Sequence, residues 1–366
     1  MESSPNISAL DPIVALAKRR GFVFPSSEIY GGLGSCYDYG PLGVELKRNV
    51  KDAWWRSMVH RREDVVGIDC SIIMHPRVWE ASGHVSNFND PLVECAHCGL
   101  RMRQDQIDAG IEKCAKSENK QHAFGEPRSF NLMFKTHLGP VEDEASTVYL
   151  RPETAQGIFV NFLNVVDSTR VKLPFGIAQQ GKSFRNEITT RRFTFRTCEF
   201  EQMEMEFFCR PQESAAWYEY WRKERLQWFI DLGVSPERLR LRDHRPDELA
   251  HYSSACADVE YLFPFGWSEL EGIACRGSFD LTQHAQHSGK TIIWRDQANN
   301  ETLVPHVVEP ALGTDRAILV FLIDAYTEDE VEGNPRTVLK LHPRLAPYKV
   351  AVFPLLRKDG HPEKAQ

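Results

Sequence analysis

Apolar residues recur at helical spacing through Leu42, Leu46, Val50, Trp54 and Met58, which predicts a long amphipathic helix. A shorter one is expected from Ile13 to Arg20, stopped by Gly21. Between them Tyr30 to Gly43, dense in glycine and aromatics, reads as a structured turn. A strand is expected around Val65 to Met74, closed by Pro76. After Tyr149 the pattern becomes strand-rich and antiparallel. Gly176 to Phe208 gives two apolar-rich strands joined by an arginine-loaded loop. A helix near Gln212 to Leu232 interrupts the strands, and its Trp217, Trp221 and Trp228 read as packing. A last helix is expected from Asp315 to Tyr326. Runs of strands with helices on one face indicate an α+β fold rather than a doubly wound sheet.

Residues 91–128 form a polar insertion holding Cys95, Cys98 and Cys114. Tyr348 to Leu356 reads as the opening buried strand of a further α/β domain. One strand cannot pair its backbone alone. The expected division is a catalytic domain over residues 1–340, and over 341–366 a linker with the first strand of an incomplete domain, cut just inside it.

A chain of 366 residues suits two domains, or one large domain with insertions. Hydrophobic content of 42% with 26% charged residues is ordinary for a soluble protein. No apolar run approaches the ~20 residues a membrane helix requires. Glu2 and Asp11 with no apolar core between them favour neither a secretory signal nor a presequence. The nine cysteines, an odd number mostly in apolar runs, fit reduced thiols in a cytoplasmic enzyme. A net charge of -7 argues against indiscriminate nucleic-acid binding, but leaves room for a local basic patch.

The arginine loop has an internal logic. Arg185 leaves the first strand, Arg191, Arg192 and Arg196 crowd the turn, and Phe200 returns beside Glu199, Glu201 and Glu204. Guanidinium groups contact phosphate oxygens in planar, bidentate fashion, which suits Arg185 to an α-phosphate and Arg196 to outer phosphates. Phe200 can stack on a base, and the carboxylates can catch an ammonium. Such a site would join a nucleotide to an amine-bearing acid. In a second segment, Glu309 to Arg316, Gly313 lets the backbone approach a ligand. Arg316 opens a helix against the dipole's preference for acids there, which an anionic ligand would explain. Two further segments place Glu153 and Glu269 beside small residues, where capping or turn roles serve equally well.

In order and joint presence these segments resemble the three signature motifs of class II aminoacyl-tRNA synthetases. The first is the Leu42 to Met58 helix with the strand ending at Pro76. The second is Phe184-Arg185-Asn186-Glu187 with its loop and return strand, and the third is Gly313 to Arg316. The likeness is closer still to dimeric glycyl-tRNA synthetase. AKRRGFVFPSSEIYGGLGSCYDYGPLG, EPRSFNLMF, LRPETAQGIFVNF, FRNEITTRRFTFR, EFEQMEMEFF, FPFGWSELEGIA and VVEPALGTDR resemble that family from about Ile13 onward. The Tyr348 strand resembles the start of its anticodon-binding domain.

The resemblance implies ATP and Mg²⁺, glycine and tRNA-Gly, a homodimer through the Leu42 to Met58 helix and its strand, and a cytoplasmic setting without a membrane. It implies that Arg185 holds the α-phosphate and glycine's carboxylate, that Glu187 faces the adenine amino group and that Phe200 stacks on the ring. Arg316 would hold the γ-phosphate. Glu269 and Leu270 would border the nucleotide and its metal, with Asn186, Phe195, Arg196 and Gly313 also at the ATP. Glu153, Glu204 and Glu309 would ring the ammonium and Arg276 would close the pocket. Glu201, Gln202, Met203, Ala311 and Arg103 complete the expected glycine site.

The chain departs from the family at several positions. Ala311 replaces a serine, Cys198 an arginine and Cys275 an asparagine, and Gly277-Ser278 stands where Thr-Asp is usual. Many bacterial relatives carry a four-cysteine zinc site in the insertion. Here Cys95 and Cys98 supply one half, while Cys114 has only His97 or His122 for company, so a metal-free ribbon is expected. Two other readings stand beside the ligase: a paralogue activating another small amino acid or acceptor, and a non-catalytic nucleic-acid-binding accessory protein.

Overall fold

The structure, a computed structural model, describes residues 10–104, 107, 113–188, 192–250, 253–296 and 299–366. Its centre is a seven-stranded sheet. In chain order its strands are β1 (Val65–Gly67), β2 (Phe175–Phe184), β3 (Glu199–Cys209), β4 (Leu239–Asp243), β5 (Ala255–Phe263), β6 (Gly266–Gly277) and β7 (His306–Gly313). Across the sheet they run β4-β5-β6-β7-β3-β2-β1; β1 pairs parallel with β2, and every other pair is antiparallel.

The helices that frame it are α1 (Asp11–Arg19), α2 (Pro41–Trp55), α3 (Arg77–Ala81), α4 (Ala155–Val160), α5 (Phe162–Thr169), α6 (Ser214–Asp231), α7 (Phe279–Ser288) and α8 (Thr314–Ala325). Pro41 starts α2 with the φ a first turn requires. Gly43 then lets α2 press on the preceding segment, because a Cβ there would sit 1.8 Å from the Phe22 carbonyl oxygen. The apolar stripe of α2 stays in register through a π-helical turn, Arg56–His60, so Met58 is buried with Leu46, Val50 and Trp54. That stripe is spent on this chain's own core, against Met203, Met205, Phe207, Trp221 and Phe321. Trp221 and Trp228 on α6 are buried, and Trp217 packs 4.6 Å from the Phe207 ring, so the tryptophans serve packing as expected.

Three expectations need adjusting. The strand from Val65 pairs only as far as Gly67; the Gln179 side chain then takes the Cys70 N–H at 2.5 Å and the chain leaves the sheet, with Ile73 making a single bridge to Leu150. Helices do not lie on one face alone. α4, α5 and α7 cover one end of the second face through Phe159, Phe162, Phe175, Phe208 and Leu281. The sheet's other end on that face is left uncovered for a site. Finally, Tyr348 to Leu356 joins no sheet among the described residues, and Tyr348, Val350, Phe353 and Leu355 are each at least 79% exposed. Among the described residues no strand offers it a ladder partner.

In the insertion, Asn89–Glu94 pairs with both Arg101–Arg103 and Arg128–Asn131. None of the nine cysteines forms a disulfide. Among the described residues no helix is long and apolar enough to cross a membrane.

Candidate active site

Alternation along the strands decides which residues meet. On β3, Phe200, Gln202 and Glu204 face the open side of the sheet, while Met203, Met205 and Phe207 enter the helix-covered core. On β7 the open side carries Glu309, Ala311 and Gly313, and Val308 and Leu312 go to the core. Register aligns Glu204 with Ala311, Ala311 with Gly272 and Gly272 with Asp258. The resulting row is acidic at both ends with a small-residue floor between. A cavity of about 270 Å³ lies on this face.

Of the expected residues, Glu153, Arg185, Glu187, Phe195, Arg196, Phe200, Gln202, Glu204, Glu269, Glu309, Ala311, Gly313 and Arg316 line the cavity together. Six others do not. Glu201 points to the helical side, 2.9 Å from Lys47 and bonded to Lys51, and Met203 is core; both are one residue out of phase with the lining. Leu270 sits at a β-bulge with its side chain buried in the core. Asn186 donates its backbone N–H to Leu132. Arg103, on the insertion sheet, pairs with Asp90 at 3.0 Å. Arg276 is buried behind Glu309 instead of closing the cavity.

One end of the cavity is cationic and aromatic. Arg185 donates from Nε to the Pro152 carbonyl at 3.0 Å and lies between the rings of Phe88 and Phe200, 5.4 and 5.3 Å away. Among the described residues no carboxylate pairs with it, so its outer nitrogens remain for a ligand. Arg196 pairs with Glu187 at 3.3 Å. Arg316, in the first turn of α8, pairs with Glu269 at 3.1 Å and stacks 4.5 Å above Phe195. Arg316 is also the largest influence holding the Glu269 carboxyl below its ordinary value. Within the loop, Arg192 and Phe193 take left-handed φ of 75° and 56°, and Arg192 stacks on Phe265 outside the cavity. Arg191 lies outside the described residues.

The other end is a buried acid cluster. Glu153 is 3.2 Å from His84 Nε2 and accepts a hydrogen bond from Gln156 Nε2 at 3.0 Å. Gln156 also donates to Asp280 at 2.9 Å, Asp280 grips Arg276 at 2.8 and 2.9 Å, and Arg276 donates to Glu309 at 2.7 Å. This run of contacts ties together the two walls of the cavity. Burial opposes ionisation of Glu153, but His84 and then Arg276 outweigh it and hold the carboxyl well below its ordinary value. Glu204 accepts from the Thr154 N–H at 3.0 Å and from its hydroxyl. Even so, burial and the neighbouring Glu309 and Glu153 push it well above the ordinary range. Glu309 is raised by burial, against the pull of Arg276.

Sequence reasoning missed several members. Glu206 lies two residues beyond Glu204, with acceptor atoms near those of Glu204 and Glu309. Fully buried, with neither oxygen bonded among the described residues, it is raised well above its ordinary value by burial and by Glu309. Period-two counting from Glu204 would have found it. Gly272, Thr194, Thr197 and Asp315 in the lining, and His84, Gln156 and Asp280 behind it, carry no local signal and meet only through the fold. Of the unusual residues only Ala311 is in the lining. The Cys275 side chain faces α6, 3.0 Å from Ser214 Oγ, and Cys198 lies outside the lining, where its carbonyl accepts the Arg185 N–H at 2.9 Å.

In the insertion, the ligand atoms of Cys95, Cys98, Cys114 and His122 all lie within 4.8 Å of one another. Burial opposes it, but hydrogen bonds from the Cys98 backbone and the His122 ring draw the Cys95 thiol down to about 5. Three thiols and an imidazole match the tetrahedral N/S set of structural zinc. Of the two histidines the sequence offered as partners for Cys114, the fold brings His122 to the three thiols, across the Cys95–Phe124 bridge.

Comparison with known proteins fits this geometry. Residues 134–325 match the family described as "tRNA synthetase class II core domain (G, H, P, S and T)". The chain is 54% identical to the glycine–tRNA ligase of Borrelia hermsii over 98% of its own length and 81% of that protein's. It is 53% identical to that of Geobacillus thermodenitrificans over 98% and 83%. Prolyl-tRNA synthetase of Giardia lamblia, solved with prolyl-adenylate, shares the fold, with a TM-score of 0.64 at 14% identity over 98% of this chain and 60% of that one. With this match across the site and 53–54% identity along nearly its whole length, the chain belongs to the class II tRNA synthetases, in the family of the glycine–tRNA ligases.

Proposed function

We propose that this protein activates glycine with ATP and transfers the glycyl group to the 3′ end of tRNA-Gly. The observation that carries this reading is one cavity with Arg185, Phe200 and Arg316 at one end and Glu153, Glu204 and Glu309 at the other. It suits a nucleotide triphosphate lying end to end with a small ammonium-bearing acid.

In this reading Arg185 aligns glycine's carboxylate against the α-phosphate, Phe200 stacks on adenine, and Glu187 accepts from its amino group. Arg316 bears on the γ-phosphate, and the three glutamates surround the ammonium. The carboxylate attacks the α-phosphorus in line, the α–β bond breaks, and pyrophosphate leaves. The 2′- or 3′-hydroxyl of the terminal adenosine then attacks the glycyl carbonyl and AMP leaves. No protein nucleophile is needed; positioning and charge carry the rate. Mg²⁺ bound with ATP would neutralise phosphate charge, and Glu269, ionised and half-exposed beside Arg316, fits as its protein carboxylate. Arg103, Glu201 and Met203 take no part.

We also assign a structural zinc to Cys95, Cys98, Cys114 and His122. A homodimer would use the edge strand β1, since the α2 stripe is occupied by its own core. Nine unpaired thiols support a reducing, cytoplasmic setting.

ATP–pyrophosphate exchange, run with glycine, alanine and serine in parallel, tests the proposal. Exchange is expected with glycine alone. Silence with glycine from folded protein overturns the reading, and a preference for another amino acid turns it to a repurposed paralogue.

A further inference from the structure

On the far side of the acid cluster lies a second cavity of about 390 Å³, formed where α3, α4, α5 and α7 meet. Its walls are apolar: Val78 and Ala81 from α3, Phe159 and Val160 from α4, Leu163 from α5, and Ile292. Its rim is basic, with His75, Arg77, His287 and Lys290. Arg77 donates to the His287 carbonyl, and neither Arg77 nor Lys290 pairs with a carboxylate among the described residues. The cavity is thus an apolar chamber with uncompensated cations at its mouth.

Two of its residues also touch the network behind the first site. Phe159 carries the Arg276 guanidinium 5.5 Å above its ring. His284 is buried in the wall, with its Nε2 2.7 Å from Gln156 Oε1. Because the Gln156 amide nitrogen donates to Glu153 and Asp280, its oxygen is the acceptor and His284 donates through Nε2. One side chain, Gln156, therefore separates the second cavity from Glu153.

We propose that this cavity is a second ligand site for a small amphipathic carboxylate. The apolar body would lie against Val78, Phe159, Leu163 and Ile292, and the acid group on Arg77 and Lys290. Occupancy would be felt at the first site through His284, Gln156 and Glu153. The volume suits a compact molecule, since ligand pockets begin at about 300 Å³. Charge selects the class: an apolar ligand without an acid leaves the rim cations unanswered, and a polar anion leaves the walls unfilled.

The probe is 4-phenylbutyrate, with 4-phenylbutyramide as its uncharged counterpart, titrated into the full chain by calorimetry and ligand-observed NMR. The acid is expected to bind saturably and the amide about tenfold or more weaker, the factor of one charge-assisted hydrogen bond. Leu163→Trp, which fills the chamber from a half-exposed position, should abolish binding. Arg77→Ala should weaken it about tenfold or more. Equal affinity for acid and amide, binding that survives Leu163→Trp, or no binding by either probe overturns the site. The coupling rests on the glycine reading and is measured separately: saturating 4-phenylbutyrate should shift the KM for glycine and leave that for ATP in place. An unmoved glycine KM overturns the coupling alone, while the binding arms hold whether or not the protein activates glycine.

Discussion

Replacing Glu206 by glutamine tests whether the acid cluster is charged as the geometry requires. Glu206 is fully buried, and neither of its oxygens accepts a hydrogen bond among the described residues. Burial first, then Glu309, raise its carboxyl well above the ordinary 4.5. Above pH 4.5 the unfolded chain gives up this proton while the folded chain keeps it. The folded state then binds one proton more, so stability falls as pH rises. The slope is about 1.4 kcal/mol per pH unit, from 4.5 up to the folded value. Glutamine keeps the shape and cannot titrate, so the variant lacks this slope. At about 2.1 cal/mol/K per residue, unfolding 366 residues carries about 0.8 kcal/mol/K, and the slope becomes about 2 °C per pH unit. Melting curves of both proteins at pH 5.5, 6.5 and 7.5 should show Glu206→Gln gaining on the parent as pH rises, by up to about 2 °C per unit while the folded parent keeps the proton. Parallel curves would mean that Glu206 is already ionised at pH 5.5 in the folded protein, and that the cluster contains a cation the geometry does not show.

Arg185→Ala should lower pyrophosphate exchange by about 10²-fold or more with the melting temperature kept; a smaller loss would remove Arg185 from the α-phosphate. Glu271 and Arg225 form a fully buried pair at 2.6 Å between β6 and α6. Glu271→Ala should destabilise by about 3–5 kcal/mol and Arg225→Met with Glu271→Leu should recover most of it, read by urea unfolding; a single-variant loss under about 1 kcal/mol contradicts the pairing. Purified protein should carry about one zinc per chain by mass spectrometry, lost in Cys114→Ser, and an equal metal content in both would dismiss the ribbon site. Glycine binding should release protons, because its ammonium pulls down the raised carboxyls of Glu204 and Glu309. Calorimetric heats that do not change with the buffer's ionisation enthalpy would rule this out.

Much of the fold could be read from period and punctuation. The α2 helix, the paired strands around the arginine loop, the tryptophan helix and α8 all follow from local pattern, and all appear within a few residues of expectation. The cationic end of the site was legible because its residues cluster in two short segments. Glu201 and Met203 were placed in the site by their neighbourhood in sequence, yet alternation sends them to the other face. Arg276 is held instead by Asp280, four residues on, and by Glu309 on β7, and nothing local announces the second contact. His122 as a fourth donor, and the link from Gln156 to His284, depend on residues 24 and 128 positions apart meeting in space.

The chemistry of the acidic end follows from its charge count more than from its shape. Glu153, Glu204, Glu206, Glu309 and Asp280 are all at most 9% exposed, and among the described residues Arg276 and His84 are the basic side chains that pair with them directly. Buried carboxylates in such excess cannot all ionise, so the free site keeps protons on some of them. A ligand that brings an ammonium supplies the missing cation, which selects an amine before size is considered. Size then acts at the floor, where only Ala311 and Gly272 separate Glu204 from Asp258. In the glycine reading proposed above, such a floor offers no side-chain grip, and exclusion by size is the means of selection it leaves. Ala311, the one departure from the family in the lining, lacks the hydroxyl of the expected serine but keeps its Cβ. It therefore removes a hydrogen-bonding group from the floor and the room that group's oxygen would fill.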